Sequence, residues 1–566
     1  MPPSLSASEV PWQEASAGAT GMVSGQGSRR AQSITIRVNA ASRRGPFRPV
    51  WAYFGYDEPN FTYMQYGRQL LGELAALSPV PVHIRTHNLL TSGDGEPALK
   101  WGSTDVYTED RSGRPIYHWT IIDKIFDAYR KVNIKALVEI GFMPEALSTN
   151  PQPYRHNWPE GELATGWAYP PKDYLKWAEL IYQWVRHSVD RYGQAEVKSW
   201  YWEVWNEPNI RYWQGTDEEY LKLYDYTAGA VKRALPEARM GGPHCTGPRS
   251  ESAAALLQKF LEHCVRGKNY VTGEIGSPLD YIGFHVKGRP QIVDGHLRMG
   301  IQAQLQSASK GFEIVASFPE FKNLPIILGE SDPEGCAACS AKMRPESAYR
   351  NGPLYASYTA AVLGKILELS DRYRSNLEGV LTWAFEFEGQ PYFAGFRTLA
   401  TNGINKPILN LFRMLGLMRG ERLEVESTGA VDLDQILRAG VREKPDISAI
   451  ASGRDGEVSI LVWHYHDDDL PGPEAAIQVI LEGIPVSAQR VLLRHYRIDE
   501  HHSNAYTVWK NMGSPQEPKR WQYSRLRAAG QLEILTSPQW LRAEGGGVQL
   551  AFSLPRQGVS LLQLNW

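Results

Sequence analysis

The feature that most constrains this chain is a strand–loop–helix rhythm that occupies residues 50–387. Eight segments combine β-branched, aromatic and other apolar residues at strand length: 50–56, 82–87, 135–140, 200–205, 239–242, 279–285, 325–330 and 379–387. Segments 61–77, 119–131, 173–192 and 348–369 carry apolar residues at helical spacing. Two further helices open at Thr216-Asp-Glu-Glu219, a capping box, and near Ser252. Strands joined through helices run parallel, because such a crossover returns the chain to the same end of the sheet. Eight such units predict an α/β fold, a closed (β/α)8 TIM barrel. The rival, an open doubly wound sheet, expects a glycine-rich phosphate turn after its first strand; this chain has Asp57-Glu58-Pro59 there.

The character changes after Arg419. Short alternating runs at 458–463, 476–481, 490–496 and 559–564 predict an accessory antiparallel β-sandwich domain, and no helical pattern is read there. An early alternating run at 33–39 has no place in the barrel. The predicted organisation is therefore disorder over the Ser/Gly/Ala-rich residues 1–30, a strand within 31–46 that joins the sandwich, a catalytic barrel over 47–418, and the sandwich over 419–566.

Composition narrows the function. Sixty basic residues against 62 acidic ones leave a net charge of −2, which gives no electrostatic case for nucleic acid or an anionic membrane. No apolar run is long enough to span a bilayer, and no signal peptide is recognised, which leaves periplasmic, secreted and cytoplasmic locations all open. Oligomeric state is not legible. Cys336-Ala-Ala-Cys339 has redox or zinc spacing but no second such pair, and is read as a loop disulfide or free thiols. His464-Tyr-His466-Asp-Asp-Asp469 is read as a strand running into an acidic turn rather than a metal cluster. No cofactor and no metal are expected.

In a TIM barrel the reactive groups gather at the C-terminal strand ends. Those ends carry Asp57, Glu58, His87, Asn88, Glu139, Asn206, Glu207, His244, His285, Glu330, Glu386 and Glu388. Carboxylates without a nucleotide, nucleophile-elbow or metal motif point to glycoside hydrolysis. Glu207 follows Trp200-Tyr-Trp-Glu-Val-Trp-Asn206 and precedes Pro208, so it stands at a strand end beside aromatic rings that suit sugar faces. The 18 Trp and 28 Tyr of the chain fit the same surface. Glu207 and Glu330 are the leading pair, one carboxyl to protonate the leaving oxygen and one to attack the anomeric carbon.

Several motifs make the chain similar to glycoside hydrolase family 39. Trp205-Asn206-Glu207-Pro208 matches the acid/base motif of the wider clan of (β/α)8 retaining glycosidases. Phe54-Gly-Tyr-Asp-Glu-Pro-Asn60, Arg85-Thr-His-Asn88, Thr382-Trp-Ala-Phe-Glu-Phe387, Trp463-His-Tyr-His-Asp-Asp-Asp469 and Ser503-Asn-Ala-Tyr-Thr-Val-Trp509 resemble its bacterial β-xylosidase branch. The resemblance implies Glu207 as acid/base, Glu330 as nucleophile and Asn206 as the holder of the sugar 2-hydroxyl. Many members carry Thr-Glu-Phe around the nucleophile; this chain has Gly329-Glu330-Ser331 followed by Asp332-Pro-Glu-Gly-Cys336. His87, Asn88 and His285 are expected to bind the sugar or orient Glu330, Glu386 to reach sugar hydroxyls, and Trp383 and Phe54 to contribute to the sugar site. Glu139 reads equally as a barrel-layer carboxylate paired to Arg85. The expected activity is retaining exo-hydrolysis of β-D-xylosidic bonds in short xylo-oligosaccharides. Related α-L-arabinopyranosides, α-L-iduronides or galactosides are the enzymatic alternatives, and a non-catalytic carbohydrate-binding barrel the non-enzymatic one.

Overall fold

Eight parallel strands wind in sequence order around one axis: β1 (Tyr53–Tyr56), β2 (His83–Thr86), β3 (Lys135–Ile140), β4 (Tyr201–Val204), β5 (Arg239–Cys245), β6 (Tyr281–Lys287), β7 (Ile326–Asp332) and β8 (Leu377–Val380). The computed structural model that shows this describes residues 33–78, 80–156, 163–164 and 166–566; the disorder expected for residues 1–30 lies outside the described residues. Closure comes just beyond β8, where Thr382 bridges Phe54 in parallel. The Gly55 amide donates to the Thr382 carbonyl at 3.0 Å, and the Thr382 amide to the Tyr53 carbonyl at 3.0 Å. Alternation sends Tyr53, Leu137, Tyr201, Tyr281 and Ile327 inward to meet Trp383. Phe54, Ile84, Val138, Trp202, Ile282 and Leu328 face the outer helices.

The surrounding helices are α1 (Gln65–Ala75), α2 (Thr120–Lys131), α3 (Tyr174–Tyr192), α4 (Asp217–Ala234), α5 (Glu251–Arg266), α6 (Ile301–Ala316), α7 (Pro353–Tyr373) and α8 (Pro407–Leu417). The capping box forms: Glu219 N–H donates to Thr216 Oγ1 at 3.1 Å, and Thr216 N–H to Glu219 Oε2 at 2.8 Å. Two expected segments differ. The helix anticipated from residue 61 splits into a 3-10 turn, Pro59–Tyr63, and α1. The eighth strand ends at Val380, well before Phe387. Its continuation is apolar and strand-like, but β1 ends at Tyr56, so the chain runs out of backbone partners and Phe385 bridges Thr398 instead.

Among the described residues ten strands form the accessory sheet, which folds over into the β-sandwich. Ile34–Pro46 lies inside it, antiparallel to Glu421–Ser427 and parallel to Ala475–Glu482. Ile36, Val38, Ile460, Val462, Val479, Leu562 and Leu564 fill its core. Three helices, Leu433–Ala439, Ala505–Asn511 and Arg520–Ala529, correct the reading that helices stop at Arg419. They span too few turns for a clear period. The Ala505–Asn511 helix is capped by Asn504 and packs Trp509 and Tyr506 on Phe393, in the loop beyond β8, with ring centroids 5.1 and 5.4 Å apart. No helix among the described residues is long and apolar enough to cross a membrane.

The acidic turn after His464 joins the two units. Asp467 accepts from Ile301 N–H at the start of α6 (3.2 Å), from Val441 N–H (2.9 Å) and from the Tyr465 hydroxyl (2.7 Å). Asp468 pairs with Arg298, while His464 and His466 contact the carbonyls of Leu554 and Arg442. Trp463 closes over α7 at Gly364, where a Cβ would come within 2.6 Å of its ring. Asp467→Ala removes an acceptor from two amides and a hydroxyl, with an expected cost of about 3 kcal/mol. Calorimetry of the variant should show a lowered unfolding midpoint, and an unchanged one would deny Asp467 this role.

Candidate active site

Glu207 is raised on a strained turn. β4 stops at Val204, and Trp205 and Glu207 then take left-handed φ values of 71° and 45°. The Glu207 amide donates to the His244 carbonyl at 3.0 Å, and the Trp205 indole to the Tyr212 carbonyl at 2.8 Å. Trp205 packs edge-on against Phe142 and Trp213, with centroids 5.2 and 5.0 Å away. Trp200, Trp202 and Trp205 are all buried. Trp205, with Phe142 and Trp213, therefore buttresses the turn, while Trp200 and Trp202 pack outward against Phe126 and Trp184 of the helices α2 and α3. Glu330 sits within β7, two residues before its end. One carboxylate oxygen of Glu207, one of Glu330 and a ring nitrogen of His285 lie within 4.8 Å of one another. Two carboxyls about 5 Å apart is the spacing of double-displacement glycosidases.

The two carboxyls have opposite electrostatic settings. Burial, and then the charge of Glu330, push the Glu207 carboxyl up to about 7. Burial also pushes Glu330 up, but the positive charges of Lys287, Arg85 and His87 outweigh it and hold that group below the usual carboxylate range. Lys287 Nζ lies 2.5 Å from Glu330 Oε2 and 2.7 Å from Asp332 Oδ2. Arg85 reaches Glu330 Oε1 at 3.1 Å. His285 Nδ1 is 2.9 Å from Glu207 Oε1. Burial holds the His285 imidazole well below its ordinary pKa, so the ring is neutral. A cation placed among Glu207, His285 and Glu330 would meet the positive charge that Lys287 and Arg85 already supply.

A buried network lies beneath. Arg85 contacts Glu203 Oε1 (2.6 Å), Glu139 Oε2 (3.3 Å) and Asn206 Oδ1 (3.1 Å). Asn206 thereby has its carbonyl oxygen anchored. His87 lies between Asp57 (2.7 Å from Nδ1) and Glu139 (2.8 Å from Nε2). Burial lowers its pKa, but the carboxylates of Glu139 and Asp57 lift it to about 9, which favours the imidazolium between them. Asp57 also holds Lys100 at 2.7 Å.

The sequence-nominated residues sort by these contacts. Glu207, Glu330, His285 and Asn206 converge. His87 and Trp383 stand beside them, with ring centroids 4.2 Å apart, and Arg85 lies over Trp383 at 5.0 Å. Asn88 is turned to the loop: its amide donates to the Asp57 carbonyl and accepts from the Thr91 hydroxyl. Glu386 is buried and accepts from the Gly403 amide at 2.6 Å. Glu388 accepts from the Tyr66 amide. Phe54 points outward and packs edge-on against Phe412 of α8, with centroids 4.9 Å apart. Glu139 takes the barrel-layer position beside Arg85. Cys336 and Cys339 form a disulfide, and their carbonyls hold Arg350.

Lys287 and Asp332 contribute directly, yet the strand-end reading passes over both. The signal for them is strand alternation: residues two apart share a face, so an inward His285 brings Lys287 and an inward Glu330 brings Asp332.

The profile of glycosyl hydrolases family 39 matches residues 34–546. The chain is 27% identical to a β-xylosidase of Geobacillus stearothermophilus over 498 residues, covering 85% of this chain and 86% of that protein. It is 27% identical to an α-L-iduronidase of Mus musculus over 533 residues, covering 87% and 75%. The crystal structure of a monomeric β-xylosidase from Caulobacter crescentus CB15 superposes with a TM-score of 0.72 at 23% identity, covering 94% of this chain and 99% of that one.

The electrostatic coupling can be measured directly. With isotope-labelled glutamate, Glu207 should titrate near pH 7, since burial and Glu330 both raise it. Glu330→Gln removes the like charge and should lower that midpoint by about one unit; an unmoved midpoint would show that the carboxyls are not coupled.

Proposed function

From its membership in glycosyl hydrolases family 39, shown by a match spanning residues 34–546, we propose that this glycoside hydrolase removes β-D-xylose from short xylo-oligosaccharides by double displacement, with residues 47–418 as its catalytic unit. The observation that carries the mechanism is the paired setting of Glu207 and Glu330: within 4.8 Å, one pushed up to about 7 and the other held ionised by Lys287 and Arg85. Glu330 attacks the anomeric carbon while Glu207 gives its proton to the departing oxygen. Glu207, now ionised, takes a proton from water, and that water releases the sugar from Glu330 with net retention. Neutral His285 contacts Glu207 through Nδ1. Asn206, its oxygen fixed by Arg85, offers its amide nitrogen to the sugar 2-hydroxyl, a contact that strengthens as charge develops. The xyloside choice draws on similarity to the β-xylosidases.

A second reading has its own observation. Lys287 is a half-buried cation beside the nucleophile, placed to meet a negatively charged substituent. A uronide such as α-L-iduronide carries such a group at C5 where xylose carries none, and iduronidases are among the relatives.

Hydrolysis of aryl β-D-xyloside, α-L-arabinopyranoside, α-L-iduronide and β-D-galactoside decides between them. The xyloside should dominate, and Glu330→Ala should lose at least ~10⁴-fold in kcat while staying folded. Glu207→Ala should retain activity on activated aryl leaving groups far better than on xylobiose. For the wild type, kcat/KM should fall above about pH 7, as Glu207 loses its proton. Equal loss on both leaving groups would remove Glu207 from the acid role. Lys287→Met should leave the ratio of iduronide to xyloside turnover unchanged if xylose is the substrate. A drop of ~100-fold in that ratio would establish the uronide reading.

A further inference from the structure

We infer that His244 is a positioning residue, which sets the spacing of the Glu207–Glu330 pair through two facing β-bulges. The inference rests on the reading of those two carboxyls as the catalytic pair. On β5, Pro243 pairs with Gly283 and Cys245 with Phe284, so His244 is the extra residue between them. On β7, Leu328 pairs with Phe284 and Glu330 with His285, so Gly329 is the extra residue there. The two bulges flank β6 one residue apart, on either side of Phe284. A bulge re-aims its side chain and bends its strand. His244 also holds φ at 48°, a left-handed conformation that non-glycine residues rarely adopt.

The imidazole enters the barrel interior through space that two glycines leave open. A Cβ on Gly283 would lie 2.1 Å from Nε2, and a Cβ on Gly329 would lie 2.2 Å from Nδ1. The ring is buried and sits against Gly329, the residue before Glu330. Its Nε2 is 2.6 Å from Glu203 Oε2, while the other oxygen of Glu203 holds Arg85, which in turn holds Glu330. The His244 carbonyl receives the Glu207 amide at 3.0 Å. Its ring also meets His285, the partner of Glu207, with centroids 5.7 Å apart. A single residue thus contacts the mounts of both carboxyls.

A pure packing role would need neither the Glu203 contact nor a strained backbone. The charged and titratable groups around the ring are Glu203 on β4, Arg85 on β2, Tyr281 and His285 on β6, and Glu330 on β7. Removing the imidazole leaves Glu203 to Arg85 alone. Arg85 then gives less support to the ionised form of Glu330, so Glu330 should protonate at higher pH.

His244→Asn tests this, because asparagine tolerates the left-handed turn but is too short to reach Glu203. The expected result is a fall in kcat of ~10–100-fold with KM changed less than about threefold. The acid limb of kcat/KM should move upward. Gly329→Ala pushes a methyl into the ring and should give the same signature. In the double variant the second change should add little, since the space is then free. Wild-type kcat and pH profile in His244→Asn, or fully additive losses, would overturn the inference. If His244→Asn does not fold, Gly329→Ala decides alone by the same two readouts. An active His244→Asn beside a dead Glu330→Ala would sink only this inference; an active Glu330→Ala would sink the reading beneath it.

Discussion

The buried guanidinium of Arg85 is the interaction on which the site depends. It holds Glu203, Glu139, Glu330 and Asn206 from strands β3, β4 and β7 and the turn after β4. Desolvating that many charges is costly, and the network is stable only because each charge finds a partner. The orientation of Asn206 follows from it, and with Lys287 it keeps Glu330 ionised. Trp383 covers Arg85 from one side. The layer of the barrel interior directly under the site is therefore charged, although Tyr53, Leu137, Tyr201, Tyr281 and Ile327 also point into the barrel.

Two carboxyls of the same chemistry are driven apart by unequal surroundings. Glu207 stands on a turn backed by aromatic rings, with one neutral histidine at its side. Glu330 lies in a strand whose neighbour β6 brings Lys287 against it, while Arg85 reaches it from β2 across the barrel interior. Like-charge repulsion between them then reinforces the difference, because the group that ionises less easily is raised further by the one already charged. The bulges on β5 and β7 belong to the same arrangement, since regular pairing would alternate side chains differently at the level where the acids meet.

Much of this arrangement is legible in the chain itself. The strand–helix rhythm specifies the barrel, since parallel strands joined by helices have few ways to bury both faces of a sheet. The ends of the fourth and seventh strands mark Glu207 and Glu330. Other features escape for definite reasons. Phe54 carries a family-like motif, but strand alternation turns it outward to Phe412. Glu386 reads as part of a long eighth strand, yet that strand ends early and the side chain meets the Gly403 amide instead of the cleft. The helix after Asn504 spans two turns, too few to show a period. Lys287 and Asp332 are readable from alternation, as each stands two residues beyond a nominated neighbour.

The sequence by itself determined the barrel, the appended sandwich and the chemical type of the site, because periodicity and strand-end chemistry are local properties. It did not determine the charges that set the two carboxyls apart, the full set of groups that Arg85 binds, or that His244 fills the space left by Gly283 and Gly329. Those depend on distances between strands far apart in the chain. Only the closed barrel brings Arg85, Glu203, His244 and Glu330 together in its buried interior with Lys287 at its edge, where low polarity makes each separation of a few ångströms count.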